Sequence, residues 1–185
     1  MGHSITSTNS SNHYLKIQLL YTTMQLLVDT CSWMKLEELK HLNLFDSQLL
    51  YDYSDITITH AVLEEVRYFG LSGVEVERTT VQPIGNQRIY EEAKALELDE
   101  ADASLLSRGN PEGEPILISE DGGLLEFARS YQFMHLQVID LFAILCKNNL
   151  ISKKELYRLT RKLRELRNIT EKKQKQMKKI LQSTD

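Results

Sequence analysis

Met24-Gln-Leu-Leu-Val-Asp-Thr, residues 24–30, is the stretch on which the fold turns. Leu26-Leu-Val is a short apolar run with no alternation between apolar and polar positions. A strand with one wet face alternates, whereas one covered on both faces by helices does not, so this run predicts a central strand of a parallel sheet. The run ends in an aspartate. Carboxylates seldom face an apolar core unless something positive meets them there.

Working outward, Trp33 to Leu50 reads as helix, with Met34, Leu36, Leu39, Leu42 and Leu49 on its apolar side. Ile56-Thr-Ile-Thr is a second strand, and Ala61 to Phe69 a helix stopped by Gly70. Val74 to Val81 alternates and predicts a strand or hairpin arm. Asn86 to Leu98 and Asp99 to Arg108 are helical, and Gly109-Asn-Pro-Glu-Gly-Glu-Pro is a loop by its turn chemistry. Strand Ile116 to Ser119, helix Gly123 to Ser130 and strand Met134 to Ile139 follow. Strands alternating with helices imply right-handed crossovers, hence an α/β fold with a mostly parallel sheet between helical layers.

Beyond Asp140, read as a helix N-cap, the chain turns helical. Leu156, Leu159, Leu163 and Leu166 form an amphipathic seam that must bury itself on the core, a second subunit or a partner. A break is expected near Asn168 to Thr170. The chain thus divides into a flexible extension over 1–23, a domain over 24–150 and a basic helical extension over 151–185. Met24 is read as the start of the folded part.

The chain has 185 residues, 42% of them hydrophobic, enough for one domain with a real core. Its net charge of −4 conceals a division: from Lys147 onward thirteen Lys and Arg face four Asp and Glu, or +9, and the rest carries −13. Such a basic segment is either a solvated helix surface or a nucleic-acid contact. Cys31 and Cys146 have no CxxC or histidine company and are read as packing residues in a reducing compartment. Tyr14 to Val28 lacks the basic flank of a signal peptide and is too short and polar to span a membrane. The reading is a cytoplasmic protein with no membrane partner.

Four acids stand where apolar segments end or turn inward: Asp29, Glu65, Asp102 and Asp121. Ligands of parallel sheets collect at the carboxyl ends of the strands, and Asp29 and Asp121 lie just past two such ends. At about 100° per residue, Asp102 falls between Leu105 and Leu106, on the inward face. The same wheel puts Glu65 beside Val62, Val66 and Phe69 while Glu64 points to solvent. Asp99 is read as an N-cap that could also serve as an accessory acid, and Glu120 as facing water. Four carboxylates without cysteine or histidine make a hard oxygen site for Mg²⁺ or Mn²⁺, with zinc disfavoured. Such a site suits phosphodiester hydrolysis, in which one ion activates water and a second, about 4 Å away, neutralises the leaving oxygen.

Thr30, Ser32 and Ser119 carry hydroxyls that either orient a carboxylate, water or phosphate, or cap turns. His60 is read as a cap or packing residue rather than a general base. Trp33 and Tyr131 are core aromatics before they are base-stacking ones. The chain has no Walker A loop, GxGxxG or GxSxG, which removes phosphate-cradling and serine-hydrolase chemistry.

Taken in order, Leu27-Val-Asp-Thr, Ile58-Thr-His-Ala-Val-Leu-Glu-Glu-Val, Asp99-Glu-Ala-Asp-Ala-Ser-Leu-Leu and Ile116-Leu-Ile-Ser-Glu-Asp resemble the PIN-domain nucleases, the family that includes the VapC toxins of toxin–antitoxin pairs. The resemblance covers about Met24 to Leu150. It implies a three-layer α/β/α fold, metal ligation by Asp29, Glu65, Asp102 and Asp121, and Ser119 in place of the family's usual threonine. The implied activity is Mg²⁺-dependent cleavage of RNA, leaving a 3′-hydroxyl and a 5′-phosphate. The implied partners are an RNA substrate, an antitoxin protein and a second copy in a homodimer. The basic tail after Leu150 departs from the smaller toxins and leaves a free-standing nuclease as the other form. Two further readings stay open: a non-cleaving PIN-like module that binds RNA or protein through the basic arm, and a DNA-directed nuclease of the flap type.

Overall fold

The structure, a computed structural model, describes residues 23–183. The expected flexible extension lies almost wholly outside the described residues. Five strands form one sheet: β1 (Met24–Val28), β2 (Ser54–Thr59), β3 (Thr80–Gln82), β4 (Ile116–Ile118) and β5 (His135–Leu136). All neighbours are parallel, in the order β3-β2-β1-β4-β5. Helices α1 (Thr30–His41), α2 (Gln48–Tyr53), α3 (His60–Tyr68), α4 (Gln87–Ala95), α5 (Glu100–Leu106), α6 (Gly122–Ser130) and α7 (Val138–Lys147) complete a three-layer α/β/α domain. Two more, α8 (Lys153–Glu165) and α9 (Glu171–Ser183), follow.

The central place of β1 explains its lack of alternation. Leu26 pairs with Ile56 on one side and Ile116 on the other, and Leu26, Leu27 and Val28 are all buried. Each such side chain contributes about 1.5–3 kcal/mol by leaving water. Trp33 stacks on Tyr51 beneath α1, and Phe45 meets the Phe142 ring with centroids 4.6 Å apart. The leucine seam buries itself on the core: Leu156, Leu159 and Leu163 of α8 and Met177 of α9 belong to the same cluster as the sheet. The expected break falls between Glu165 and Glu171.

Several local expectations are corrected. The helix read over Trp33 to Leu50 is two, because Asn43 takes a left-handed conformation, φ 53°, and Leu44 N donates to Leu39 O in a Schellman closure. Met34 and Leu42 are consequently exposed, and so is Phe69 at the end of α3. Val74 to Val81 is no hairpin arm: Val76–Arg78 is a 3₁₀ turn, and only Thr80–Gln82 joins the sheet, parallel to β2. The last strand is confined to His135–Leu136, since Val138 and Ile139 already belong to α7. Asp140 is therefore inside the first turn, where its carboxylate accepts from Gln137 N at 3.3 Å, and is not the cap. Cys31 is exposed rather than packed. No helix among the described residues is long and apolar enough to cross a membrane.

Candidate metal centre

The chain runs from β1 outward to β2 and β3, then returns to place β4 on the other side of β1. The crevice between the carboxyl ends of β1 and β4 is therefore the topological switch point, where open parallel sheets bind ligands. Asp29 follows β1 and Asp121 follows β4 by three residues. A single hydroxyl joins them: Ser119 Oγ donates to Asp29 Oδ2 at 2.5 Å and accepts from Asp121 N at 2.9 Å. Asp29 N also donates across the strand ends to Ile118 O at 3.2 Å.

Both aspartates double as helix caps. Asp29 Oδ1 accepts from Ser32 N at 2.6 Å at the start of α1, and Asp121 Oδ1 accepts from Leu124 N at 2.8 Å at the start of α6. Asp29 is buried and Asp121 exposed, so only Asp29 carries a large desolvation cost. Burial pushes the Asp29 carboxyl above its ordinary value, against the hydrogen bonds from Ser119 and Ser32 that favour its charge.

Glu65 arrives from the β2 side. It is partly buried on α3 while Glu64 is exposed, as the wheel requires, and Thr30 Oγ1 donates to its Oε2 at 2.5 Å. The hydroxyls of Thr30 and Ser119 thus hold one carboxylate each. Asp102 is partly buried on α5. That helix is tied to the start of α3 by the 2.6 Å contact between Ser104 Oγ and Thr59 Oγ1. Asp99 is its N-cap, accepting from Asp102 N at 2.8 Å.

The four acids share one electrostatic neighbourhood. Burial first, then the charges of Asp99, Asp29, Asp121 and Glu65, raise the Asp102 carboxyl to about 7. Cys31, next to Asp29 and expected only to pack, sits in the same field: though the residue reaches the surface, partial desolvation of its thiol and then Asp29, Asp102, Asp121 and Glu65 push it up to about 11. Among the described residues, no Lys, Arg or His pairs with any of the four acids. Nothing there donates to the Asp102 carboxylate either.

Concentrated negative charge without a protein cation, presented only by oxygen donors, fits a hard divalent ion. The acids form a ring only in the sense of a shared field of charge, not a closed cage, for among the described residues no three Asp, Glu, His or Cys side chains are grouped closely enough to hold a metal ion.

Sequence reasoning missed the neighbour of this ring. Glu120 does not face water: Lys35 Nζ lies 2.8 Å from its Oε2, with side chains only 9% and 11% exposed. Its Oε1 accepts from Val138 N at 2.9 Å. Lys35 follows Asp29 by six residues on α1, a spacing that carries no short-range signal. His60 is exposed at the first position of α3, with Thr59 as the cap, so it neither caps nor packs. Trp33 is core, and Tyr131 stacks on Phe127. Comparison with family models, with curated proteins and with solved structures returns no match for this chain.

Proposed function

We propose that the protein is a Mg²⁺- or Mn²⁺-dependent endoribonuclease of the PIN type. The observation that carries this reading is the ring of Asp29, Glu65, Asp102 and Asp121 at the switch point, with no protein cation against it. A divalent ion held by these oxygens would supply Lewis acidity, activating water and neutralising charge on the phosphoryl group. The remaining work falls to side chains. Ser119 Oγ fixes Asp29 Oδ2, Thr30 Oγ1 fixes Glu65 Oε2, and the Leu124 N–H fixes Asp121 Oδ1. Each of these carboxylates keeps a second oxygen or lone pair for a ligand, and such pre-positioning lowers the reorganisation cost of binding.

The test is a metal titration with single-stranded RNA and DNA side by side. Wild-type protein should cut RNA with Mg²⁺ or Mn²⁺, leaving 5′-phosphates, and Asp102→Asn should stay folded and inactive. Intact RNA at every metal concentration rejects the reading. Preferential cutting of DNA would assign the flap type of nuclease instead.

A second reading is favoured by one observation. Asp29, Asp121 and Asp99 each cap a helix, and the acids do not close into a cage, which suits a non-cleaving PIN-like module that binds RNA or a protein partner through its basic helices. A toxin with its antitoxin, and a homodimer, are narrower forms of the first reading. A neighbouring reading frame encoding a small DNA-binding protein would single out the toxin.

A further inference from the structure

The basic face of the last two helices is not used by the acid ring, and it has a shape. Where α8, the turn over 166–170 and the start of α9 meet lies a cleft of about 360 Å³. Arg164, Arg167, Lys172 and Lys173 line it together with Gln137, and no Asp or Glu does. Among the described residues only Lys173 of these four meets a carboxylate, so the cleft keeps positive charge that attracts an anion.

The fold holds the cations in place. Lys173 Nζ donates to Asp140 Oδ2 of α7 at 2.5 Å, with side chains 18% and 5% exposed, so the start of α9 is pinned to the body. Arg164 Nη1 spans the turn to Ile169 O at 3.2 Å, and Ile169 is buried. Thr170 Oγ1 accepts from Lys173 N at 3.2 Å. Arg167 and Lys172 are exposed and form no ion pair among the described residues. Two anchored cations and two available ones thus face one cavity.

The cleft also has an address. Gln137 is the residue after β5, so the cleft prolongs the carboxyl-end rim one strand past β4. Gln137 Nε2 reaches Glu120 Oε2 at 3.4 Å, and Glu120 immediately precedes Asp121. Guanidinium forks and ammonium groups beside a neutral amide recognise phosphate oxygens. A polyanion that continues from this cleft onto a divalent-requiring acid ring is a nucleic-acid backbone. We propose that the cleft between α8 and α9 is a phosphate subsite that grips the backbone of single-stranded RNA beside the acid ring. The subsite rests on the nuclease reading for its direction along the rim, and its binding can be measured without cleavage.

The experiment is fluorescence anisotropy of a short labelled single-stranded RNA with the full chain, in EDTA, over a salt series. Arg167→Gln/Lys172→Gln removes two contacts at exposed positions, and circular dichroism checks that it stays folded. At a slope of about 0.7 per phosphate on a single strand, losing two contacts weakens binding roughly 25-fold near 0.1 M salt and lowers the log–log slope by about 1.4. Lys178→Gln/Lys179→Gln, exposed on α9 but not lining the cleft, should weaken binding far less than the first double, since neither ammonium makes a phosphate contact there. Equal losses in both doubles, no loss in the first, or no RNA binding by wild type each overturn the subsite. If wild type binds as expected yet never cuts with Mg²⁺ or Mn²⁺, the nuclease reading fails and the subsite stands. If it cuts and the first double binds RNA as well as wild type, the reverse holds.

Discussion

Replacing Asp102 by Asn should make the metal-free protein more stable at pH 8, which is the opposite of what removing a structural carboxylate does. In the folded chain, burial and then Asp99, Asp29, Asp121 and Glu65 raise this carboxyl from 3.8 to about 7. Between those values the folded state holds a proton that the unfolded chain has released. Stability from this group is therefore complete below about pH 4 and is lost as pH rises through about 7. Three pH units correspond to about 4 kcal/mol. Part of the side chain touches water, and screening reduces this to about 2 kcal/mol.

Asn has the shape of the protonated acid and cannot ionise. The variant should thus exceed wild type by about 2 kcal/mol at pH 8, a rise in Tm of about 4–8 °C, and match it at pH 4. Thermal unfolding followed by circular dichroism in EDTA from pH 4 to 8 measures this. A variant less stable than wild type at pH 8, or a constant offset at every pH, would refute the electrostatic account of the ring. Adding Mg²⁺ at a hundred times its dissociation constant should then stabilise wild type by about 2.7 kcal/mol and the variant by clearly less.

Three other outcomes follow from particular contacts. Ser119→Ala removes the donor to buried Asp29 and the acceptor for Asp121 N, so the urea midpoint should fall by the equivalent of about 2 kcal/mol with an unchanged m-value. Gly109→Ala should cost about 1–3 kcal/mol, because a Cβ there would lie 2.4 Å from Cδ2 of the Phe133 ring; the same melts measure it, and a neutral result would mean the ring moves freely. Glu65→Gln should abolish RNA cleavage while Glu64→Gln leaves it intact, and equal effects would undo the choice between these neighbours.

Much of this architecture was legible along the chain because it is written in short-range patterns. The unbroken Leu26-Leu-Val run announced a strand covered on both faces, and β1 is the middle strand of five. The wheel separated Glu65 from Glu64 because helical geometry acts over a single turn. Failures came where tertiary context chose between local options. Asn43 could have continued a helix, and only the Schellman closure onto Leu39 shows that it ends one. Val138-Ile139 suits a strand as well as a helix, and the helix prevailed, with Glu120 accepting from the Val138 N–H. The Lys35–Glu120 and Lys173–Asp140 pairs join residues 85 and 33 positions apart, beyond any pattern read along the chain. The cleft that Lys173 lines with Gln137 was invisible for the same reason; the sequence showed only that the tail is basic.

The proposed role of the four carboxylates at the switch point is to hold a divalent cation together. Its most direct measurement is a Mn²⁺ titration of the full-length protein followed by electron paramagnetic resonance of the free ion, for wild type and Asp102→Asn. Wild type should bind Mn²⁺ saturably, Mg²⁺ should displace it, and the variant should lose that binding. Absence of saturable binding by wild type, or an unchanged isotherm in the variant, would contradict it.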